Sequence, residues 1–318
     1  MRVPALIGVL LLAVAARALA EDYPNRPIRV VVPNPAGGPT DVVARLIGPK
    51  LGERLGQTIV VDNRAGADGV IGSDLVAKAA PDGYTLLLSS SSHAMHPAVY
   101  ANLPFDTEAA FAPITLLVRA PYMLLVHPGV PARSTAELIA YAKSRPGKLD
   151  YGSAGNGGGV HLSLELFKTV AGIDLVHIPY KGGGPVLMDL AGGQIQVSMV
   201  PVVAALPLVR DGRLRALAVT GRERVAVLPD LPTLAETLPG FDTTSWYGAL
   251  APAGTPATIV TRLNAELDRI VREPDVLQRI IEMGAEAAGG PPASFGALIH
   301  REIARWDAVA KQANVRLD

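Results

Sequence analysis

No cysteine occurs in the 318 residues, which removes disulfides, thiolate nucleophiles and cysteine-held metal together. Charge is scarce and balanced, with 29 basic residues against 29 acidic ones, 18% of the chain in all. No Lys/Arg block concentrates the positive part, so nucleic acid and an anionic membrane surface are not the implied partners. Aromatic residues supply only 5%, and stability must come from packed aliphatic cores. The chain has no Gly-x4-Gly-Lys-Ser/Thr segment, which excludes a P-loop.

What is present begins with an export signal. Arg2 gives a positive start, Leu6 to Ala16 a short apolar stretch, and Ala18-Leu19-Ala20 the small-x-small pattern of a cleavage site. The stretch falls short of the ~20 residues a spanning helix needs, so the mature chain is expected to start at Glu21, in the periplasm. Removing 20 residues from 318 leaves 298, enough for two domains. Arg2 and Arg17 go with the signal, leaving 27 basic and 29 acidic residues and a net charge of −2.

Along the mature chain, short β-rich runs alternate with amphipathic helices, the pattern of an α/β fold on mostly parallel sheets. Strands are predicted at Ile28–Val32, Thr58–Val61, Thr85–Leu88, Ile114–Val118 and Met123–Val126. A second set follows at Leu149–Gly152, Leu175–Ile178, Ile195–Val200 and Arg215–Thr220. Thr40–Leu55 reads as a helix with Val43, Ile47, Leu51 and Leu55 on one face, and Pro49 is expected to bend or break it. Helices are also expected near Val160–Val170 and Pro185–Leu190, and through most of the C-terminal third. Residues 32–39 align without a gap to residues 178–185, each leaving a strand through glycines toward a helix, which suggests two lobes of similar construction.

Glycine loops at strand-to-helix junctions let unpaired helix-start N–H groups approach an anion. This chain has four: Ala36 to Asp41, Ala65 to Gly69, Ser153 to Gly159, and Lys181 to Gly184. Several such loops on a near-neutral chain point to an anion site built from backbone dipoles. Gly155-Asn156-Gly157 imitates a dinucleotide fingerprint, but Val160 stands at its third small position. Tyr151-Gly152-Ser153-Ala154-Gly155 lacks the first glycine of a nucleophile elbow, although His161 or His177 near a serine would leave an exported hydrolase open. His93 and His96, spaced i, i+3, have no evident third metal ligand and read as loop or helix-start residues. Asp41 reads as a helix-start residue rather than a base, Arg64 and Lys181 as either carboxylate partners or solvated surface, and Trp246-Tyr247 as either hinge, cleft wall or core.

Taken in order, these segments resemble the Bug/TctC family, the extracytoplasmic receptors of tripartite tricarboxylate transporters. The resemblance runs through Tyr23-Pro24, Pro35 to Asp41 with Ala44-Arg45, Asn63 to Gly66, Ala80 to Leu86, Tyr151 to Ser153, Gly155 to Gly157, His161-Leu162, Glu165 to Phe167, His177 to Pro185, Leu217 to Thr220, Leu231 to Thr233 and Trp246 to Gly248. It implies a two-lobed, type II periplasmic binding protein of Venus-flytrap form. Lobe one would take residues 21–119 and 245–318, and lobe two residues 120–244. The implied ligand is a small organic carboxylate held in a pincer of two loops: Ala36, Gly37, Gly38, Thr40 and Asp41 from lobe one, and Ser153, Ala154, Gly155, Asn156 and Gly157 from lobe two. Ser89 to His93, Tyr180 and Trp246 would line the far side of the cleft. Asn34 departs from the family's usual aromatic residue and His96 from its frequent asparagine. The resemblance further implies a monomer without cofactor, metal or catalysis, serving integral-membrane permease subunits. A receptor for a membrane sensor kinase would share the fold.

Overall fold

The computed structural model describes residues 23–317, so the expected export signal lies outside the described residues. Two sheets organise the chain. The first runs β11-β4-β10-β3-β1-β2, from β1 (Ile28–Val32), β2 (Ile59–Asn63), β3 (Thr85–Ser90), β4 (Phe111–Ala120), β10 (Ser245–Pro252) and β11 (Glu286–Ala287). The second runs β7-β6-β8-β5-β9, from β5 (Tyr122–Val126), β6 (Asp150–Ser153), β7 (Val176–Pro179), β8 (Val197–Pro201) and β9 (Arg215–Val219). The chain leaves the first sheet for the second across Pro121 alone and returns through residues 220–244. The result is a two-lobed α/β protein.

Both sheets are mixed, not mostly parallel as the alternation suggested. The βαβ units make β1/β2, β1/β3, β6/β7 and β6/β8 parallel. Each sheet then receives an antiparallel strand, β10 or β5, from the chain that has just crossed between lobes. Parallel neighbours need a crossover connection, and a strand arriving directly from the other sheet has none.

Placed side by side, β2-β1-β3-β10-β4 and β7-β6-β8-β5-β9 have the same order. This corrects the alignment of residues 32–39 with 178–185, which pairs β1 with β7. The topological partner of β1 is β6. The two segments match in sequence because every βα unit leaves its strand through a turn into a helix, so the same grammar recurs one unit out of step.

The helices are α1 (Pro39–Leu55), α2 (Val70–Ala77), α3 (Ser92–Val99), α4 (Thr135–Lys143), α5 (Gly159–Ala171), α6 (Gly183–Ala191), α7 (Val202–Arg210), α8 (Ala257–Ile270), α9 (Pro274–Glu282) and α10 (Pro292–Ala313). Helix α1 continues through Pro49 without the expected break. An interior proline costs ~3 kcal/mol, whereas Val43, Ile47, Leu51 and Leu55 are all buried at ~1.5–3 kcal/mol each. Strand β10 is buried along its whole length. Trp246 lies there at 1% exposure, edge-on to Phe295, and belongs to the core of lobe one. One apolar cluster joins the lobes: Met95 and Val99 of α3 and Trp306, Val309 and Ala310 of α10 pack with Leu162 of α5.

Candidate functional site

The two candidate loops occupy topologically equivalent turns, β1 to α1 in one lobe and β6 to α5 in the other. In lobe one the polar side chains are spent on the loop itself. Asp41 Oδ2 accepts from Gly37 N–H at 2.8 Å and Arg45 Nε at 2.9 Å, and its Oδ1 accepts from Asn63 Nδ2 at 3.0 Å. Burial alone would push the Asp41 carboxyl up, but the Arg45, Gly37 and Asn63 hydrogen bonds outweigh it and the net shift is downward. Asp41 is therefore a charged strut, not a base. Thr40 Oγ1 donates to Asn34 Oδ1 at 3.0 Å, so the amide of Asn34 fixes the next turn rather than offering the apolar contact an aromatic residue would. Gly38 N–H goes to the Pro35 carbonyl. The N–H groups of Ala36, Thr40 and Asp41 have no hydrogen-bond partner among the described residues.

In lobe two a stack of rings supports the loop. His161 and His177 lie face to face at 3.8 Å, and Tyr151 stacks on His177 at 4.8 Å. His161 Nδ1 accepts from Gly157 N–H at 2.9 Å, which needs the neutral ring. Burial, then the neighbouring His177 and Lys168, push His161 down to about 3. Ser153 Oγ lies 2.7 Å from both the Gly155 carbonyl and His177 Nε2. A hydroxyl has one proton and the carbonyl can only accept, so Ser153 donates to Gly155 and receives from His177 Nε2–H. Such a serine is held the wrong way for activation by the histidine, and it is fully buried. The N–H groups of Gly159, Val160 and His161 at the start of α5 and the loop N–H groups of Ala154 and Asn156 remain without partners among the described residues.

The other sequence candidates scatter. Ser89 sits near the C-terminal end of β3, opposite Gly248 of β10. Tyr180 turns its hydroxyl to Asp189 at 2.8 Å, and burial together with that bond pushes it up to about 12. Arg64 pairs with Asp62 on the surface and Lys181 is exposed. His93 is buried between Phe105 and Phe111, so it faces the core of lobe one, not the cleft. His96 Nε2 is 3.1 Å from the Asp68 carbonyl. Burial holds His93 and His96 neutral, at about 3 and about 4, and no metal-binding group of three occurs among the described residues.

Where the lobes meet, the sequence reading missed the important side chain. A Cβ placed on Gly157 would stand 2.6 Å from Leu317 and 3.2 Å from Val99, so the β6–α5 turn needs glycine there to pass lobe one this closely, while Gly159 makes room for the Tyr122 hydroxyl of its own lobe. A Cβ at Gly158 would lie 3.7 and 3.8 Å from the two carboxylate oxygens of Asp68. Asp68 is open to water yet ringed by protein, which places it on a cleft wall. Burial raises its carboxyl to about 6, with the Ser92 hydroxyl acting in the opposite direction. Its backbone is left-handed, φ 50°, as is that of Ala67 at φ 45°. Such strain costs of order 1–3 kcal/mol per residue and collects at functional sites. The sequence signal was an acidic residue inside a glycine loop.

Residues 43–315 match the family model described as the tripartite tricarboxylate transporter family receptor. The chain belongs to this receptor family. Several solved structures resemble it. Rpa4515 of R. palustris, with adipate, is 41% identical with a TM-score of 0.85, over 93% of this chain and 100% of the other. The periplasmic binding protein BugD is 35% identical at TM-score 0.82, over 93% and 100%. MatC from Rhodopseudomonas palustris, with bound malate, is 36% identical at TM-score 0.80, over 90% and 99%. The family is one of solute-binding receptors, and the two glycine turns of this receptor stand at equivalent βα junctions of its lobes.

Proposed function

We propose that this chain works in the periplasm as a monomeric receptor that captures a small organic carboxylate between its lobes. It hands that ligand to the integral-membrane permease of a tripartite tricarboxylate-type transporter. The observation that carries the reading is the pair of equivalent turns with unspent main-chain N–H groups: Ala36, Thr40 and Asp41 on one side, Ala154 and Asn156 on the other. The support from relatives is that receptors 41% and 36% identical hold adipate and malate.

A carboxylate is acceptor-only when ionised, so it matches a cradle made of donors. Hydrogen bonds to a charged group contribute ~1.5–3 kcal/mol each, and they strengthen as lobe closure lowers the local dielectric. Because the donors are backbone groups, no basic patch is needed and the near-neutral net charge is consistent with the site. Gly37, Gly38 and Gly157 serve by shaping the turns, since their own N–H groups bond within the protein. Distal side chains set which acid is preferred.

Isothermal titration of the mature chain with mono-, di- and amino-carboxylates, each beside its primary amide, tests the binding claim. Carboxylates are expected to bind and the amides to fail, because an amide brings an N–H toward other N–H groups. If no carboxylate of any of the three kinds binds, the reading is wrong. Uptake of the bound acid by cells with and without this chain tests delivery, and unchanged uptake removes the transport role.

A further inference from the structure

We propose that Asp68 is a specificity-determining residue of this cleft, selecting a carboxylate ligand whose far end carries an ammonium group or another strong hydrogen-bond donor, and disfavouring dicarboxylates. The inference rests on the carboxylate-receptor reading and adds the ligand's second functional group to it.

Three observations converge on this side chain. Its carboxylate lies across the interlobe gap from Gly158, within 4 Å of where a Cβ would stand. Gly158 is two residues from Asn156, at most about 7.6 Å between Cα atoms, so a ligand with three or four methylenes reaches from the Asn156 amide to Asp68. No basic side chain among the described residues contributes to the field at Asp68; the influences on it are burial and the Ser92 hydroxyl. A carboxylate that faces the cleft without a cation beside it is a ready counter-ion for a positive group on the ligand. The loop is also held in place for the purpose. His96 bonds the Asp68 carbonyl, and Asp68 keeps a left-handed backbone at φ 50°.

Among the described residues no other positive charge acts on Asp68. His96 from α3 is kept neutral by burial. Tyr100 and Tyr122, both within the electrostatic reach of Asp68, have their hydroxyls pushed up, first by burial and further by Asp68. A second ligand carboxylate placed here would meet an acidic group, whereas an ammonium at the end of a chain with the same number of methylenes would meet its counter-ion.

Pairs matched in methylene number make the test: 4-aminobutyrate against glutarate, and 5-aminopentanoate against adipate, titrated into the mature chain at pH 7.5. The amino member of at least one pair is expected to bind ~10-fold or more tighter than its dicarboxylate. In Asp68→Asn, whose asparagine also tolerates the left-handed backbone, that preference is expected to fall below about 3-fold or reverse. Dicarboxylate binding by the wild type should tighten as pH falls from 7.5 toward 6, and this dependence should vanish in the variant. Wild-type preference for the dicarboxylates, or an unchanged preference in Asp68→Asn, overturns the assignment while leaving carboxylate capture intact. Failure of both pairs and of butyrate and pentanoate to bind would instead remove the parent reading, and this one with it.

Discussion

At the scale of single residues, glycine positions in the two turns are not equivalent in what they tolerate. Gly38 has φ −73° and its nearest obstacle to a Cβ is the Pro35 carbonyl at 3.2 Å, a conformation open to alanine. Gly155 has φ 147°, where L side chains are strained, although space around it is open. Gly155→Ala is therefore expected to weaken ligand binding by ~10-fold or more through a displaced turn, at ~1–3 kcal/mol of strain. Gly38→Ala should change binding by less than about 3-fold, because its φ suits alanine and the Pro35 carbonyl has to yield by only a few tenths of an ångström. Calorimetry on both variants checks this, and equal losses would mean that backbone strain is not the controlling factor. Single residues also explain where the sequence reading fell short. Tyr180 and Trp246 have the chemistry of ligand contacts, but Asp189 and Phe295 claim them in the folded chain.

Elements set the pH response. Helix α3 buries His93 and His96, and α5 buries His161, each in the neutral form at about 3, about 4 and about 3. Folded-state values depressed from 6.5 mean that the unfolded chain binds protons that the folded chain refuses. Stability is thus fully present above pH ~6.5 and falls as pH drops toward 4, by up to about 1.4 kcal/mol per pH unit for each histidine. Asp68 works the other way, since its raised value of about 6 favours the folded state as pH falls toward 3.8. Three histidines outweigh one carboxyl, so the net slope is expected to be destabilising. Urea melts at pH 7.5 and 5.0 should show a loss of several kcal/mol, and His161→Gln should shrink that loss. A flat profile over this range would contradict neutral burial.

At the scale of the whole molecule, α10 and α5 tie the lobes together. Leu162 is fully buried among Met95, Val99 and Trp306, which come from the opposite lobe. Leu162→Ala is expected to cost ~2–5 kcal/mol, the range for a buried leucine whose neighbours cannot close the cavity. Denaturant unfolding measures this, and a loss under ~1 kcal/mol would mean that the interlobe cluster opens freely in solution.

How much could be read before folding follows from what each kind of signal depends on. β-rich runs such as Ile28–Val32, the aliphatic face of α1 and the glycines ahead of α1 and α5 are local, and local sterics place them within a few residues. The family resemblance adds many such pieces in fixed order, which specified the two-lobed α/β class and both candidate turns. Sheet direction is a different matter, because β5 and β10 take their orientation from the crossings between lobes, which no local pattern encodes. The same is true of the symmetry that relates β1 to β6 rather than β7. Hydrogen-bond allocation is the last thing to be settled, since a donor's partner is often far away in the chain. Only the folded protein decides that Gly37 is spent on Asp41 while Thr40 N–H is not, that Ser153 faces Gly155 and His177, and that Asp68 stands alone opposite Gly158.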